Sequence, residues 1–319
     1  MVGTHALVQA SVSFQSLGFI IIDEQHRFGV DQRLALQKKA TRNLMPHQLI
    51  MTATPIPRTL AMSIYADLDY SQIDEMPPGR KPVTTSVVAE QQRGHLIERV
   101  ARACEQGGQV YWVCTLIDES EALQCESAEL TFEFLQKQLP AQSVALVHGR
   151  MKAAQKQAAI QAFKQGDIDI LVATTVIEVG VDVANANIMI IENPERLGLS
   201  QIHQLRGRIG RGARESFCIL LVKDNLSAQV SRRLDIIRNH RDGFLIAQKD
   251  LELRGAGEVL GTRQSGEASF KIADLMRDAR WFTRVNELAE LMQQPEFGKM
   301  RKQLMQNWIG HKQGYTEVG

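Results

Sequence analysis

The sequence predicts an α/β protein: two parallel-sheet lobes followed by a helical region. Three observations predict it. Short apolar runs such as GFIIID, QVYWVCT, IDILVA and FCILLV alternate with stretches of helical spacing, as in a parallel sheet covered on both faces. The run Met76-Pro77-Pro78-Gly79-Arg80-Lys81-Pro82 is dense in proline and glycine, the chemistry of a linker. After about Leu226 the strand signals stop and helical ones continue. The domain boundaries expected from these shifts are 1–82, 83–225 and 226–319.

Taken in order, Val2 begins what reads as a strand, and Gly18 to Asp23 reads as a buried parallel strand that delivers Asp23 and Glu24 to its C-terminal edge. His47 to Thr52 is a second such run. A helix is expected near Pro57, where Thr54 can cap and proline suits the first turn. Beyond the linker, helices are expected over Gln91–Gln106, Glu119–Gln138 and Lys152–Gln165, the second with its apolar face at Leu123, Leu130 and Phe134. Strands are expected over Gln109–Thr115, Ser143–Val147, Ile168–Ala173, Asn187–Ile191 and Phe217–Val222. Ala228–Asn239 and Gly243–Leu251 form a helical hairpin about His240-Arg241-Asp242. A glycine-rich segment from Arg254 to Gly266 follows, then helix with a Met-rich apolar face over Lys271–Asn307.

Composition narrows the partners. Of 319 residues, 44% are hydrophobic and 23% charged, with a net charge of +1. Nucleic acid must therefore be met by local basic patches and not by a global field. Cys104, Cys114, Cys125 and Cys218 show no CxxC spacing and are expected to be buried free thiols. No apolar run approaches a membrane span, which with the thiols implies a cytoplasmic protein.

The chemistry concentrates in Leu199 to Gly212, LSQIHQLRGRIGRG. Arg206, Arg208 and Arg211 stand beside glycines that let the backbone turn tightly, and the guanidinium fork fits phosphate oxygens. Asp23-Glu24 at a strand end suits Mg²⁺ held through water and an activated water. Thr52-Ala53-Thr54 offers hydroxyls at the next strand end, as a helix cap or as a relay. His148-Gly149-Arg150 reads equally as an ordinary turn. In Thr174 to Asp182, hydroxyls and backbone N–H groups can hold nucleic-acid phosphates, and Asp182 either accepts from a ribose hydroxyl or caps a turn.

The order DEQH, TAT, TTxxExGxD and QLRGRxGR resembles a superfamily-two helicase motor, in which two RecA-like lobes clamp a nucleotide. The longer segments DEQHRFGVDQR, TATPIPRTLAM, MPPGRKP, LVHGRMK, ENPERLGLSQIHQLRGRIGRG and AQKDLELRGAGEVLGTRQSG resemble the RecG family of branched-DNA translocases. The transcription-repair coupling translocase shares most of this; Gln25 and the MPPGRKP linker favour the RecG reading. The resemblance implies an ATP- and Mg²⁺-dependent enzyme acting on forks and Holliday junctions. By position, Asp23 corresponds to the Mg²⁺-holding residue and Glu24 to the base, with Gln25 and His26 completing that box. Arg208 and Arg211 correspond to arginine fingers, with Gln204 beside them. Gly180 and Asp182 correspond to the nucleotide-side loop, and Thr4, His5 and Thr175 to nucleic-acid contacts. Thr52, Thr54, Arg233, Arg254 and Gln264 correspond to residues that couple lobe closure to movement.

One departure is chemical. No GxxxxGK[ST] segment occurs in these residues, so the phosphate cradle is missing. The resemblance therefore implies the C-terminal part of a longer protein, lacking the junction-splitting wedge domain and part of the first lobe. Alone it is expected not to hydrolyse ATP at a useful rate; the alternative class is a non-enzymatic duplex-DNA or partner-binding module. His47–Thr52 is expected to present an unpaired edge, with self-association through it or disorder before about Pro82.

Overall fold

The computed structural model describes residues 1–25, 28–40, 45–52, 69, 71–73, 75–77, 79–115, 121–175, 183, 185–212, 214–254, 278 and 281–308. It divides into two compact units, Met1–Gln72 with Arg254–Gly319, and Ile73–Leu253. The helix expected near Pro57 and the glycine-rich segment after Arg254 lie outside the described residues.

In the first unit, β1 (Phe19–Ile22) pairs in parallel with β2 (His47–Ile50). Ile20 and Ile22 are buried with Leu36 of helix α1 (Val30–Gln37), while Phe19 and Ile21 are 55% and 58% exposed. The expected burial on both faces is thus corrected. Strand periodicity sends alternate residues to opposite faces, and α1 covers one. The expected strand at Val2 is also corrected. His5–Val8 is a 3-10 helix, begun where the Thr4 hydroxyl accepts from the Ala6 N–H at 3.5 Å. Lys39 gathers the following loop by donating from Nζ to the carbonyls of Leu7, Gln9 and Val12 at 3.2, 2.5 and 2.7 Å.

The second unit is an all-parallel sheet of six strands: β3 (Val83–Ala89), β4 (Gln109–Val113), β5 (Val144–Val147), β6 (Ile170–Ala173), β7 (Ala186–Glu192) and β8 (Ser216–Val222). Their order is β3-β8-β7-β4-β6-β5. Alternation splits each strand between two cores. Val110 and Trp112 face α2 (Arg93–Glu105) and α3 (Glu121–Gln138). Tyr111 and Val113 face α4 (Ala153–Gln165), α5 (Leu199–Arg206), α6 (Ala228–Asn239) and α7 (Gly243–Arg254). Sheet and helices match the predicted α/β class. The face predicted for α3 is corrected: Leu130 and Phe134 are exposed, and Cys125, Ala128, Leu135 and Leu139 are buried. Both sets are helically spaced, and the docked sheet selects the second.

All four cysteines are free and buried. Two further helices, α8 (Phe282–Leu291) and α9 (Gly298–Trp308), carry apolar side chains at Val285, Leu288, Met300 and Leu304 that are exposed.

Candidate nucleotide and nucleic-acid site

In the first unit, β1 ends in the turn that carries the acidic pair. The Glu24 backbone N–H donates to Asp23 Oδ1 at 2.8 Å, and Glu24 has a φ of 54°. That left-handed backbone is uncommon for glutamate and is typical of functional turns. The Gln25 N–H donates to the Met51 carbonyl at 3.1 Å, which ties the turn to the end of β2 beside Thr52. The His5 ring stacks on Phe28, with centroids 4.2 Å apart and planes at 11°. The Thr4-His5 segment and the acidic turn are therefore brought together. His26 and Thr54 lie outside the described residues.

In the second unit, the Arg/Gly turn follows α5 and leads into β8. Gly210 has a φ of 78°, and a Cβ there would stand 3.0 Å from Val83 Cγ2 and 3.8 Å from Ser216 Cβ. Val83 and Ser216 open β3 and β8, so the turn sits at the N-terminal edge of the sheet. Thr175 follows β6 at the C-terminal edge. The seven residues of β8 set these edges ~20 Å apart. Beside Thr175, the Thr174 hydroxyl is buried without a partner among the described residues. Gly180 and Asp182 lie outside the described residues.

The three arginines divide. Arg211 is exposed and Arg208 partly so. Arg206, expected to join them in phosphate binding, is 4% exposed and points inward. Its Nη1 donates to the carbonyls of Ile237 and His240 at 2.6 and 3.0 Å and to the Thr85 hydroxyl at 3.3 Å. Nη2 lies 2.9 Å from His203 Nδ1. Burial lowers the Arg206 pKa, and these acceptors satisfy the charge it retains. Gln204 Nε2 is a buried donor with no partner among the described residues.

Arg233 on α6 makes the reciprocal contact. It donates to the carbonyls of Glu195 and Leu197 at 3.3 and 2.8 Å, in the turn that precedes α5. Arg254 ends α7, and Gln264 lies outside the described residues.

Residues 91–213 match the helicase conserved C-terminal domain, and residues 240–309 match domain 3, C-terminal, of ATP-dependent DNA helicase RecG. Over 320 residues the chain is 58% identical to ATP-dependent DNA helicase RecG of Escherichia coli K12, with 100% of this chain and 46% of that protein covered. The RecG of Pasteurella multocida is 57% identical over 322 residues, at 100% and 46% coverage. A solved structure of RecG bound to a three-way DNA junction superposes with a TM-score of 0.66 at 44% identity, covering 88% of this chain and 35% of that one. The chain belongs to the RecG family. It spans about half the length of the curated RecG relatives it matches, at 46%.

Within this RecG-family chain, three features escaped the sequence reading. Glu192 ends β7 as Asp23 ends the apolar run of β1, yet it is buried. Its Oε1 accepts from Trp112 Nε1 at 2.7 Å and pairs with Arg93 Nη2 at 2.8 Å. The signal was present, an acid after NIMII, but the same signal marks a structural pair here. His203, one turn before Arg206, is pushed down to about 4 by burial and by the adjacent guanidinium. Arg80 of the proline-rich linker donates from Nη2 to the carbonyls of Gly207 and Ile209 at 2.7 and 3.3 Å. Linker composition gave no hint of that contact.

Proposed function

We propose that these residues belong to an ATP-dependent DNA helicase that translocates on double-stranded DNA and drives branch migration and fork regression at forks and Holliday junctions. The observation that carries the reading is the turn after α5. It holds Gln204, Arg208 and Arg211 in the QLRGRIGRG spelling, on a chain 58% identical to a RecG helicase. The boundaries 1–82, 83–225 and 226–319 assign part of a first lobe, a second lobe, and a translocation hairpin with its helical extension.

Glu24 accepts the proton of the attacking water, and its turn, pinned to Met51, orients that carboxylate. Gln25, His26, Gly180, Asp182 and Gln204 contact the nucleotide, and Gln204 Nε2, without a partner among the described residues, suits an acceptor on it. Arg208 and Arg211 donate to phosphate oxygens whose charge grows as the terminal bond breaks. Asp23 suits Mg²⁺: its carboxylate is exposed, with one oxygen anchored by the Glu24 N–H. Asp23 would hold Mg²⁺ through water, and the ion would supply neutralisation of phosphate charge when bound. Thr4, His5 and Thr175 contact DNA. Thr52, Thr54, Arg233, Arg254 and Gln264 relay lobe closure to the DNA. In the second lobe the finger turn lies at the N-terminal edge of the sheet, and Thr175 follows β6 at the C-terminal edge.

The protein works in the cytoplasm, where its DNA is; among the described residues no helix is long and apolar enough to cross a membrane. A polypeptide of these 319 residues alone, without a GxxxxGK[ST] loop, turns over no ATP and associates through the β2 edge.

In the full-length protein, Arg208→Ala should reduce DNA-stimulated ATP turnover by on the order of a thousandfold. Affinity for a branched duplex should persist and should fall steeply as salt rises. Parental turnover in this variant would refute the finger assignment. A full-length protein that binds branched DNA without hydrolysing ATP would reduce the chain to a binding module.

A further inference from the structure

We infer that Arg80, in the proline-rich run before β3, is the positioning residue that aims the fingers Arg208 and Arg211. This rests on the motor reading above and adds a residue to it.

Three observations converge on one strip of chain, Arg80 to Val83. Arg80 Nη2 donates to the Gly207 carbonyl at 2.7 Å and to the Ile209 carbonyl at 3.3 Å. Those two carbonyls flank Arg208 on either side. A charged donor on both fixes the Gly207–Arg208 and Ile209–Gly210 peptide planes, which bracket Arg208 and Ile209 and so restrict the direction in which the Arg208 side chain leaves the backbone. Two residues after Arg208, Gly210 takes a φ of 78° where a Cβ would meet Val83 Cγ2 at 3.0 Å and the Lys81 carbonyl at 3.5 Å. The bend between Arg208 and Arg211 is thus moulded against the strip that carries Arg80. The Arg80 charge also reaches His203, whose pKa it helps to depress. The finger turn is consequently braced from outside its own helix, by a segment with no place in the reaction itself. Fingers stabilise charge that appears only in the transition state, so a small error in aim lowers turnover while leaving ground-state binding intact.

The test is Arg80→Met in the full-length protein, with Arg80→Lys beside it. DNA-stimulated kcat for ATP in Arg80→Met should fall at least ~10-fold, less than the loss of a finger itself. KM for ATP, affinity for ADP and affinity for a branched duplex should stay within about twofold, because none of them reads the transition state. Affinity for ADP with aluminium fluoride, which mimics the transferring phosphoryl group, should fall in parallel with kcat. Arg80→Lys should recover part of the loss, since a single nitrogen serves both carbonyls. Parental kcat in Arg80→Met overturns the inference. So does an equal loss of ADP, DNA and aluminium-fluoride complex binding, which marks a general structural role. A parent that turns over no ATP sinks the motor reading and the inference together; an active parent with unaltered variants sinks the inference alone.

Discussion

His203 gives the structure a measurable acid sensitivity. Its Nδ1 faces Arg206 Nη2 at 2.9 Å. Arginine offers only donors, so this nitrogen must accept and the imidazole must stay neutral. Protonation would set donor against donor and place a second cation beside Arg206, with Arg80 adding repulsion and Asp242 offsetting part of it. Burial and Arg206 lower the pKa from 6.5 to about 4. The sign follows from linkage. The unfolded chain takes the proton as pH falls through about 6.5, while the folded chain refuses it until about 4. The contribution to stability is therefore complete above the higher value and is lost as pH drops towards the lower. Each pH unit in that window costs about 1.4 kcal/mol, so the full span is worth roughly 3 kcal/mol. His203→Asn keeps an acceptor near Nδ1 and cannot titrate. Urea unfolding of both proteins between about pH 7.5 and pH 5 should show the parent losing some 2 kcal/mol more than the variant. Groups common to both proteins cancel in the difference. Parallel stability curves over that range would refute the assigned contact.

Two further variants probe the buried charges. Arg206→Met should destabilise the second unit by about 3 kcal/mol in urea unfolding, because it strands the buried acceptors at Ile237 and Thr85 together with His203 Nδ1. Glu192→Ala should cost about 1–3 kcal/mol: Arg93 loses its buried partner, while Glu90 continues to pair with it. It should also shift the emission of Trp112, whose indole N–H loses its acceptor.

Much of this fold was legible because strand and helix periods differ, and the apolar runs from Gln109 to Val222 became β4 to β8. What the sequence withheld was the choice among equivalent patterns. Leu130 and Leu135 both lie on plausible stripes of α3, and only the docked sheet shows that Leu135 is buried. The Arg/Gly stretch carried the same ambiguity with higher stakes. Arg206 stands four residues after Ile202 and seven after Leu199, on the buried stripe of α5, so helical phase alone could have separated it from its neighbours. Arg208 and Arg211 follow the end of that helix and escape its phase. Arg80 had no such signal. Its partners are backbone carbonyls more than 120 residues away, at a separation of 127 to Gly207, and no side-chain pattern encodes them.

The division of labour among these arginines explains how a turn so rich in glycine can aim anything. Glycine gives Gly210 its left-handed bend, and within the turn the buried Ile209 side chain anchors it to the core. Further constraint comes from outside. Arg80 grips the turn at Gly207 and Ile209, and Arg206 fastens the end of α5 to the last carbonyls of α6. Arg233, midway along α6, returns to the segment just before α5, so α5 is joined to α6 at both of its own ends by guanidinium-to-carbonyl bonds. Such bonds are stronger than neutral ones and are rigid at the donor. Any displacement of α6 relative to α5 must therefore stretch Arg206 or Arg233 before it can occur. Within the second unit, these bonds link the first helix of the hairpin to the helix that precedes Arg208 and Arg211. A displacement of that hairpin helix is therefore passed to the turn after α5.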